Sequence, residues 1–211
     1  MKTLTFEELR QSKKSNAVDG LIMFNDLLKA GSTVIDVGSG FEELHANILR
    51  ANGHTVDTCD FHKEATFKGN FNDIDIPKVY DGVWSAHCLE HQLNVNQYLK
   101  KIVSLCKDNG LICVTVPPLK HQIVGGHTTL WNAGLVLYNL VLAGLDCSNA
   151  KVKKYGYNIS VIVNKKTFTM PELHFVGTDL GLLKNYFPKD LPWNGKDSRP
   201  KFNGDIDNLN W

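Results

Sequence analysis

Hydrophobic positions along the chain switch repeatedly between a helical and an extended period. Leu21, Phe24, Leu27 and Leu28 recur at helical spacing and predict a helix over 17–30, with Asn16 as its N-cap and a short helical turn at Phe6–Leu9 ahead of it. Gly31 ends that helix, and the β-branched run Thr33–Val37 predicts a buried strand. Leu44, Ile48 and Leu49 share a face of a helix predicted over Glu42–Asn52 and stopped by Gly53. His54–Asp60 reads as a second strand, Ala65–Lys68 as a weak third and Asp81–Ala86 as a fourth. Leu99, Ile102, Val103 and Cys106 point inward from a helix over Asn94–Lys107. Asn109-Gly110 then turns the chain into LICVTVP, the most hydrophobic strand of the set. Beyond Pro117-Pro118 come the loop LKHQIVGGHTT, an apolar helix over Leu130–Ala143, and two short strands on either side of Gly156. These two are too close for a parallel crossover and must form an antiparallel hairpin. Residues 188–211, rich in Pro, Gly, Asn, Asp and Lys, predict irregular structure draped on the domain or a partly mobile flap.

Strands alternating with helices predict an α/β protein with a mostly parallel sheet, whose ligands bind beyond the carboxyl ends of the strands. The chain has 211 residues, enough for one substantial core. The expected division is a single domain over 1–187 with a separate tail. Residues 1–30 form its helical N-terminal segment, 31–118 its ligand-binding half, where a cofactor would sit, and 119–187 its substrate-side half.

Bulk chemistry narrows the function by exclusion. A formal net charge of +1 gives no support to a nucleic-acid partner, which usually demands a far more basic surface. The five cysteines are odd in number, widely spaced and free of any CxxC pair. That fits a reducing, cytoplasmic setting and predicts neither structural zinc nor another metal. The start MKTLTFEELRQSKKSN resembles neither a signal nor a transit peptide. The stretch Leu130–Leu145 contains Asn132 and Asn139, is short for a bilayer span, and lacks the basic face of a membrane-surface helix.

The stretch VIDVGSGFEEL, Val34–Leu44, carries the first chemical signal. A Gly-Ser-Gly turn after a strand lets the backbone approach a ligand, and the following helix offers unpaired N–H groups. A dinucleotide fingerprint needs a third glycine where this chain has Glu43. Glu42 and Glu43 together would repel a pyrophosphate but not a cofactor carrying an ammonium or a sulfonium. A ligand-free strand-to-helix turn is the bland alternative. Asp60 ends the second strand 20 positions after Gly40, the place of a ribose-binding acid in nucleotide folds.

The ordered series VIDVGSG, VDTCD, GNFNDIDIP, YDGVWSAHCLEHQ and LKKIVSLCKDNGLICVTVPP resembles the class I S-adenosylmethionine-dependent methyltransferases, of the type 11/23 kind, over Val34–Pro118. The resemblance implies a Rossmann-like three-layer sandwich with a mostly parallel seven-stranded sheet and a C-terminal antiparallel hairpin. It also implies S-adenosyl-L-methionine as cofactor. Asp36, Gly38, Ser39 and Gly40 would wrap its methionine portion, and Asp60 would take the ribose hydroxyls. Phe61 would lie on the adenine, Asn70 and Phe71 would border the adenine edge, and Ser85, Ala86 and His87 would flank the methyl donor. Asn70 departs from the aspartate common at that turn. An oxygen nucleophile asks for a nearby base, and His87, His91 and His127 are the candidates, with His121 and Lys120 in the same loop as His127. His91 belongs to an EH pair that the family carries whatever the substrate. His127 best fits a substrate-facing group, a solvated loop histidine being its alternative.

SAHC in place of an N-P-P-Y motif, and no PC dipeptide, argue against methylation of nucleic-acid bases. A fainter resemblance of residues 125–147 implies a small-molecule acceptor, with a saccharide oxygen in front. Trp131, Tyr138, Trp193 and Trp211 are candidate sugar platforms or ordinary core. A methyltransferase-like binding subunit acting through a protein partner is the rival reading, its tail serving as a docking segment. A nicotinamide oxidoreductase is disfavoured by the missing glycine. Homo-oligomer formation is left open.

Overall fold

The computed structural model describes Leu9, residues 16–62 and residues 64–211. The turn expected at Phe6–Leu9 lies, apart from Leu9, outside the described residues. Strands β1 (Thr33–Val37), β2 (Thr55–Asp60), β3 (Phe67–Lys68), β4 (Tyr80–Ala86) and β5 (Cys106–Val116) are mutually parallel, β1 lying between β2 and β4. β6 (Lys151–Tyr155) and β7 (Asn158–Asn164) form the predicted hairpin, with β7 antiparallel to β5. The tail holds three further strands, β8 (Trp193–Lys196), β9 (Arg199–Phe202) and β10 (Asn208–Leu209). β10 pairs antiparallel with β6, so the main sheet has 8 strands in the order β10-β6-β7-β5-β4-β1-β2-β3 rather than the seven expected.

Helices cover both faces. α1 (Val18–Leu27) and α2 (Leu44–Ala51) pack on one, α3 (Val95–Leu105) and α4 (Ala133–Leu142) on the other, and a short α5 (Asp179–Leu183) lies against β9. The period-two side-chain alternation of strands divides the core accordingly. Val34, Trp84, Leu111 and Cys113 join Leu21, Phe24 and Leu49, while Ile35, Val83, Ile112 and Val114 join Tyr98, Leu99, Ile102 and Leu137. This is the three-layer α/β architecture the motif series implied. Among the described residues no helix is long and apolar enough to cross a membrane.

Several boundaries shift for identifiable reasons. Ala17, not Asn16, is the N-cap of α1, at φ 64° and with no side-chain cap. Its N–H is held by Asn158 Oδ1 at 3.0 Å, a contact 141 residues away that no local pattern reveals. α2 starts at Leu44 because Glu43 adopts a left-handed conformation, φ 45°. α3 stops at Leu105, and β5 begins at once at Cys106 with an irregularity: Tyr80 pairs with Cys106 but Gly82 with Leu111. Asn109, at φ 61°, makes that kink, so the Asn-Gly pair bends a strand instead of preceding one.

The tail differs most from expectation. Trp193 and Phe202 sit opposite each other on the β8–β9 hairpin with ring centroids 4.9 Å apart, and both meet Phe187. Phe187 is buried and touches Tyr138 of α4, so residues 188–211 seal one side of the main core.

Candidate active site

The switch from β1 to its two neighbours opens a crevice at the carboxyl ends of β1, β2 and β4, where open α/β sheets hold ligands. Two glycines shape its floor. Gly38, at φ 79°, donates its N–H to the Cys59 carbonyl at 2.9 Å, and a Cβ there would come within 2.8 Å of Cys88 Sγ. Gly40, at φ 67°, has open space where its Cβ would be. Its N–H donates to Asp60 Oδ2 at 2.9 Å, and the Phe61 N–H donates to Asp60 Oδ1 at 2.6 Å. Backbone donors thus fix the Asp60 carboxylate at the mouth, leaving lone pairs on both oxygens.

The cavity beyond these residues measures about 370 Å³, inside the ~300–1,000 Å³ range of small-molecule sites. Gly38, Asp60, Phe61, Asn72, Asp73 and Leu93 border it, and among the described residues no lysine or arginine does. Phe61 and Leu93 are largely exposed apolar side chains at its rim. Asn72 donates from Nδ2 to Gln92 Oε1 at 3.1 Å, while its Oδ1 is buried without a partner. The wall is therefore rich in acceptors and negative charge. It suits a ligand carrying hydroxyls, an amine and a positive centre, as S-adenosylmethionine does, and it opposes a pyrophosphate.

The charge at the helix start behaves differently from the sequence-based picture. Glu43 turns away from the cavity, accepting from Arg50 Nη1 at 2.8 Å and from Thr58 Oγ1 at 2.7 Å. Burial pushes its pKa up, but those two hydrogen bonds outweigh burial and hold it below the usual value. Asp36 lies beneath the loop with no hydrogen-bond partner for Oδ2. Burial, helped by the charge of Glu43, raises its pKa to about 7.

Asn70 and Phe71 border the cavity, whereas Ser85 and Ala86 are drawn into the core. Ser85 is buried, its hydroxyl sharing a hydrogen bond with Tyr98 Oη at 2.7 Å, and Ala86 is buried beside it. Phe71 packs edge-on against Tyr98 at 5.0 Å, and the Lys101 ammonium donates to its carbonyl. Asn70 caps its own turn, donating to Asp73 Oδ2 at 2.7 Å and accepting from the Asn72 N–H at 3.2 Å. Ser39 Oγ pairs with His62 Nε2 at 3.3 Å. Asn72, Asp73 and Leu93, which border the cavity, escaped the sequence reading, although the first two stand two and three positions after Asn70 in the same turn.

A second cavity of about 170 Å³ opens beyond β5, bordered by Pro118, Lys120, His127, Thr129, Trp131 and Tyr157. The loop forming it is tied down at few points. Leu119 N–H donates to the Trp131 carbonyl at 2.7 Å, and the Thr128 and Thr129 N–H groups both reach the Glu90 carbonyl, at 2.8 and 3.3 Å. Lys120 Nζ stands 4.0 Å from the Tyr157 ring centroid. His121 is exposed and outside the lining. Trp131 is almost fully buried with its indole N–H on Thr129 Oγ1 at 2.9 Å, whereas Tyr138 and Trp193 belong to the Phe187 cluster and Trp211 packs against the core. Tyr157, half-buried, has Lys120 over its ring and His87 stacked with it at 6.4 Å.

The two cavities meet at histidines. His91 borders the first, His127 the second, and their rings stand edge to face with centroids 5.0 Å apart. His91 Nδ1 bonds the Gly126 carbonyl at 2.9 Å. His87, at φ 53°, lines neither cavity, and its ring stacks with Tyr157 at 6.4 Å between centroids. Its Nε2 meets Asn158 Oδ1 at 2.8 Å, and its Nδ1 lies 3.3 Å from Glu90 Oε1 without hydrogen-bond geometry. Burial lowers the His87 pKa, but Glu90 and Asn158 more than offset it and leave it raised.

Sheet order and crevice are those of the class I methyltransferase fold. The chain belongs to the methyltransferase-domain family, whose model matches residues 7–149, and members of the class take their methyl group from S-adenosylmethionine. Solved structures agree in fold. The methyltransferase in the complex with the Haloferax volcanii Trm112 methyltransferase activator superposes with a TM-score of 0.59 at 14% identity, over 70% of this chain and 89% of that one. A TehB-like SAM-dependent methyltransferase from Corynebacterium glutamicum gives 0.56 at 17% identity, over 76% and 98%. An O-methyltransferase family protein from Burkholderia thailandensis gives 0.57 at 14%, over 78% and 60%. No curated protein matches the chain in sequence.

Proposed function

We propose that the chain transfers a methyl group from S-adenosylmethionine to a small-molecule acceptor, with an oxygen of a saccharide or related metabolite as the leading candidate. The single observation carrying this reading is the junction of the two cavities at the His91–His127 ring pair. A donor held in the first cavity and an acceptor in the second meet there at the carboxyl end of the sheet.

Gly38 and Gly40 would hold the cofactor's amino-acid portion with bare backbone, and Asp60 its ribose hydroxyls. Phe61 and Leu93 would cover the adenine, with Asn72 Oδ1 and Asp73 as acceptors for its exocyclic amine. When bound, the cofactor supplies a methyl group already activated by a sulfonium. The protein's task is then to align the acceptor, exclude water and receive a proton. Lys120, over the Tyr157 ring, and Thr129 would offer polar contacts, and His127 would present its ring on the acceptor side. Polar partners beside an aromatic side chain suit the hydroxyls and ring of a sugar.

An inactive binding subunit working through a partner is the second reading, and the activator bound to the Haloferax volcanii neighbour keeps it in view. It relied on a free docking tail. Residues 188–211 instead pack through β10 and the Phe187 cluster, which favours the enzyme reading.

The test is label transfer from methyl-labelled cofactor to a panel of free sugars and nucleotide sugars, with aliphatic amines and phenols in parallel. Label in a saccharide ether supports the reading, and His127→Ala should then cut turnover while S-adenosylhomocysteine affinity stays within about threefold. Label in an amine alone overturns the oxygen assignment.

A further inference from the structure

We infer that Glu90, His91 and His127 form a divalent-metal site at the junction of the two cavities. The inference rests on the second cavity being the acceptor site and says how an acceptor oxygen would be held there.

Glu90 lies on the 3-10 turn Leu89–His91 directly after β4 and is 0% exposed. Neither of its carboxylate oxygens has a hydrogen-bond partner among the described residues. A buried carboxylate is costly unless a cation, a protonated side chain or a metal ion, stands beside it. Its nearest polar neighbours are ring nitrogens: His87 Nδ1 at 3.3 Å and His91 Nε2 at 4.0 Å, both from Oε1.

Hydrogen bonds fix what those nitrogens offer. The Gly126 carbonyl can only accept, so His91 Nδ1 must donate to it at 2.9 Å, and in the neutral ring Nε2 turns a lone pair toward Glu90. His87 Nε2 donates to Asn158 Oδ1, and its Nδ1 stands beside the same carboxylate, 3.3 Å from Oε1. The His91 lone pair and the Glu90 carboxylate thus turn toward the same point, where both could hold a cation. His127 completes the set, since one donor atom from each of Glu90, His91 and His127 lies within 4.8 Å of the others.

The surroundings match what metal-binding histidines need. A ligating imidazole donates its other N–H to a carbonyl or carboxylate, as His91 does to Gly126. Gly126 sits at φ 81°, and a Cβ on it would come within 3.1 Å of His91 Nδ1, so the close approach of that carbonyl asks for glycine. The Thr128 and Thr129 N–H groups bind the Glu90 carbonyl and carry His127 to the carboxylate. Two imidazoles and one carboxylate suit Zn²⁺, Mn²⁺ or Fe²⁺ better than Mg²⁺ or Ca²⁺, which prefer all-oxygen sets. Three protein ligands leave open positions facing the acceptor cavity, so an acceptor hydroxyl could bind the ion and ionise more readily.

The test is titration of metal-stripped protein with Zn²⁺ and Mn²⁺ by calorimetry, with Co²⁺ absorbance as an optical probe of nitrogen ligation. Binding at one site per chain is expected. Glu90→Gln and His127→Ala should each weaken it by more than about 100-fold, above the ~10–100-fold cost of losing an orienting partner. His127 lies on a loop, so His127→Ala is informative even if Glu90→Gln fails to fold. No binding by wild type, or equal affinity in wild type and His127→Ala, overturns the site. S-adenosylhomocysteine is titrated alongside. Normal nucleoside binding without metal binding sinks the metal site alone, whereas metal binding without nucleoside binding sinks the methyltransferase reading.

Discussion

The cofactor side and the acceptor side of the sheet's carboxyl edge are built in different ways. On the cofactor side, strand ends and tight turns set the walls: Gly38, Gly40 and Asp60 are locked by backbone hydrogen bonds between β1 and β2. On the proposed acceptor side, one long loop hangs from Glu90, His91 and Trp131, with Ile123 and Leu130 exposed along it. The first region is rigid because its geometry is a by-product of the sheet. The second is free to vary, as loops that carry specificity usually are. A common donor and a particular acceptor call for that division.

Removing a buried ring tests whether the regions are separable at all. Phe187→Ala should cost about 3–5 kcal/mol of stability, because it empties the aromatic cluster that fastens the tail to α4. Urea unfolding gives the loss, and S-adenosylhomocysteine affinity of the folded fraction should stay unchanged. If affinity drops with stability, the cofactor side depends on the tail and the contrast fails.

Asp60→Ala probes the cofactor side alone. Losing a charged acceptor for the ribose should cost about 2–3 kcal/mol, roughly a 30- to 150-fold weaker S-adenosylhomocysteine complex, in a variant shown by circular dichroism to be folded. A smaller penalty would mean that Asp60 serves the loop through Gly40 and not the ligand.

Asp36 sharpens the picture through pH. Its folded pKa of about 7, raised by burial and then by Glu43, exceeds the unfolded 3.8, so between those values the native state holds a proton that the unfolded state lacks. Its contribution is therefore greatest below the unfolded pKa, falls as pH rises, and levels off above about 7. Asp36→Asn should remove that slope and raise Tm at pH 8 more than at pH 5, by roughly 2–4 °C for each kcal/mol recovered. A smaller or equal gain at pH 8 would contradict a proton-bound native Asp36.

The smallest effect is expected at Asp81, on the edge remote from both cavities. A hydrogen bond from Lys107, then those from the Thr33 N–H and hydroxyl, depress its pKa to about 2. Here the folded value is the lower one, so its stabilisation is present above the unfolded pKa and fades as pH falls toward 2. With 38% of its side chain exposed, Asp81→Asn should cost less than about 1 kcal/mol and leave ligand binding untouched.

The sequence was readable where structure is local. β1 lies on the residues its β-branched run marked, and the Gly38–Gly40 turn and Asp60 sit together as their spacing implied. It was unreadable where distant residues decide. Ala17 is capped from Asn158, Ser85 is claimed by Tyr98, and Glu90 meets His127 only through a loop more than thirty residues on. The tail's strands are short and mostly polar, and the pairing of Trp193 with Phe202 leaves no alternation to detect.

The central claim is that the crevice at the ends of β1 and β2 holds an adenosine cofactor with a cationic amino-acid end. Calorimetric titration with S-adenosylhomocysteine, with NAD as the parallel ligand, tests it most directly. Saturable one-to-one binding of the first and none of the second is the predicted result. Binding of NAD, or of neither ligand, would contradict it.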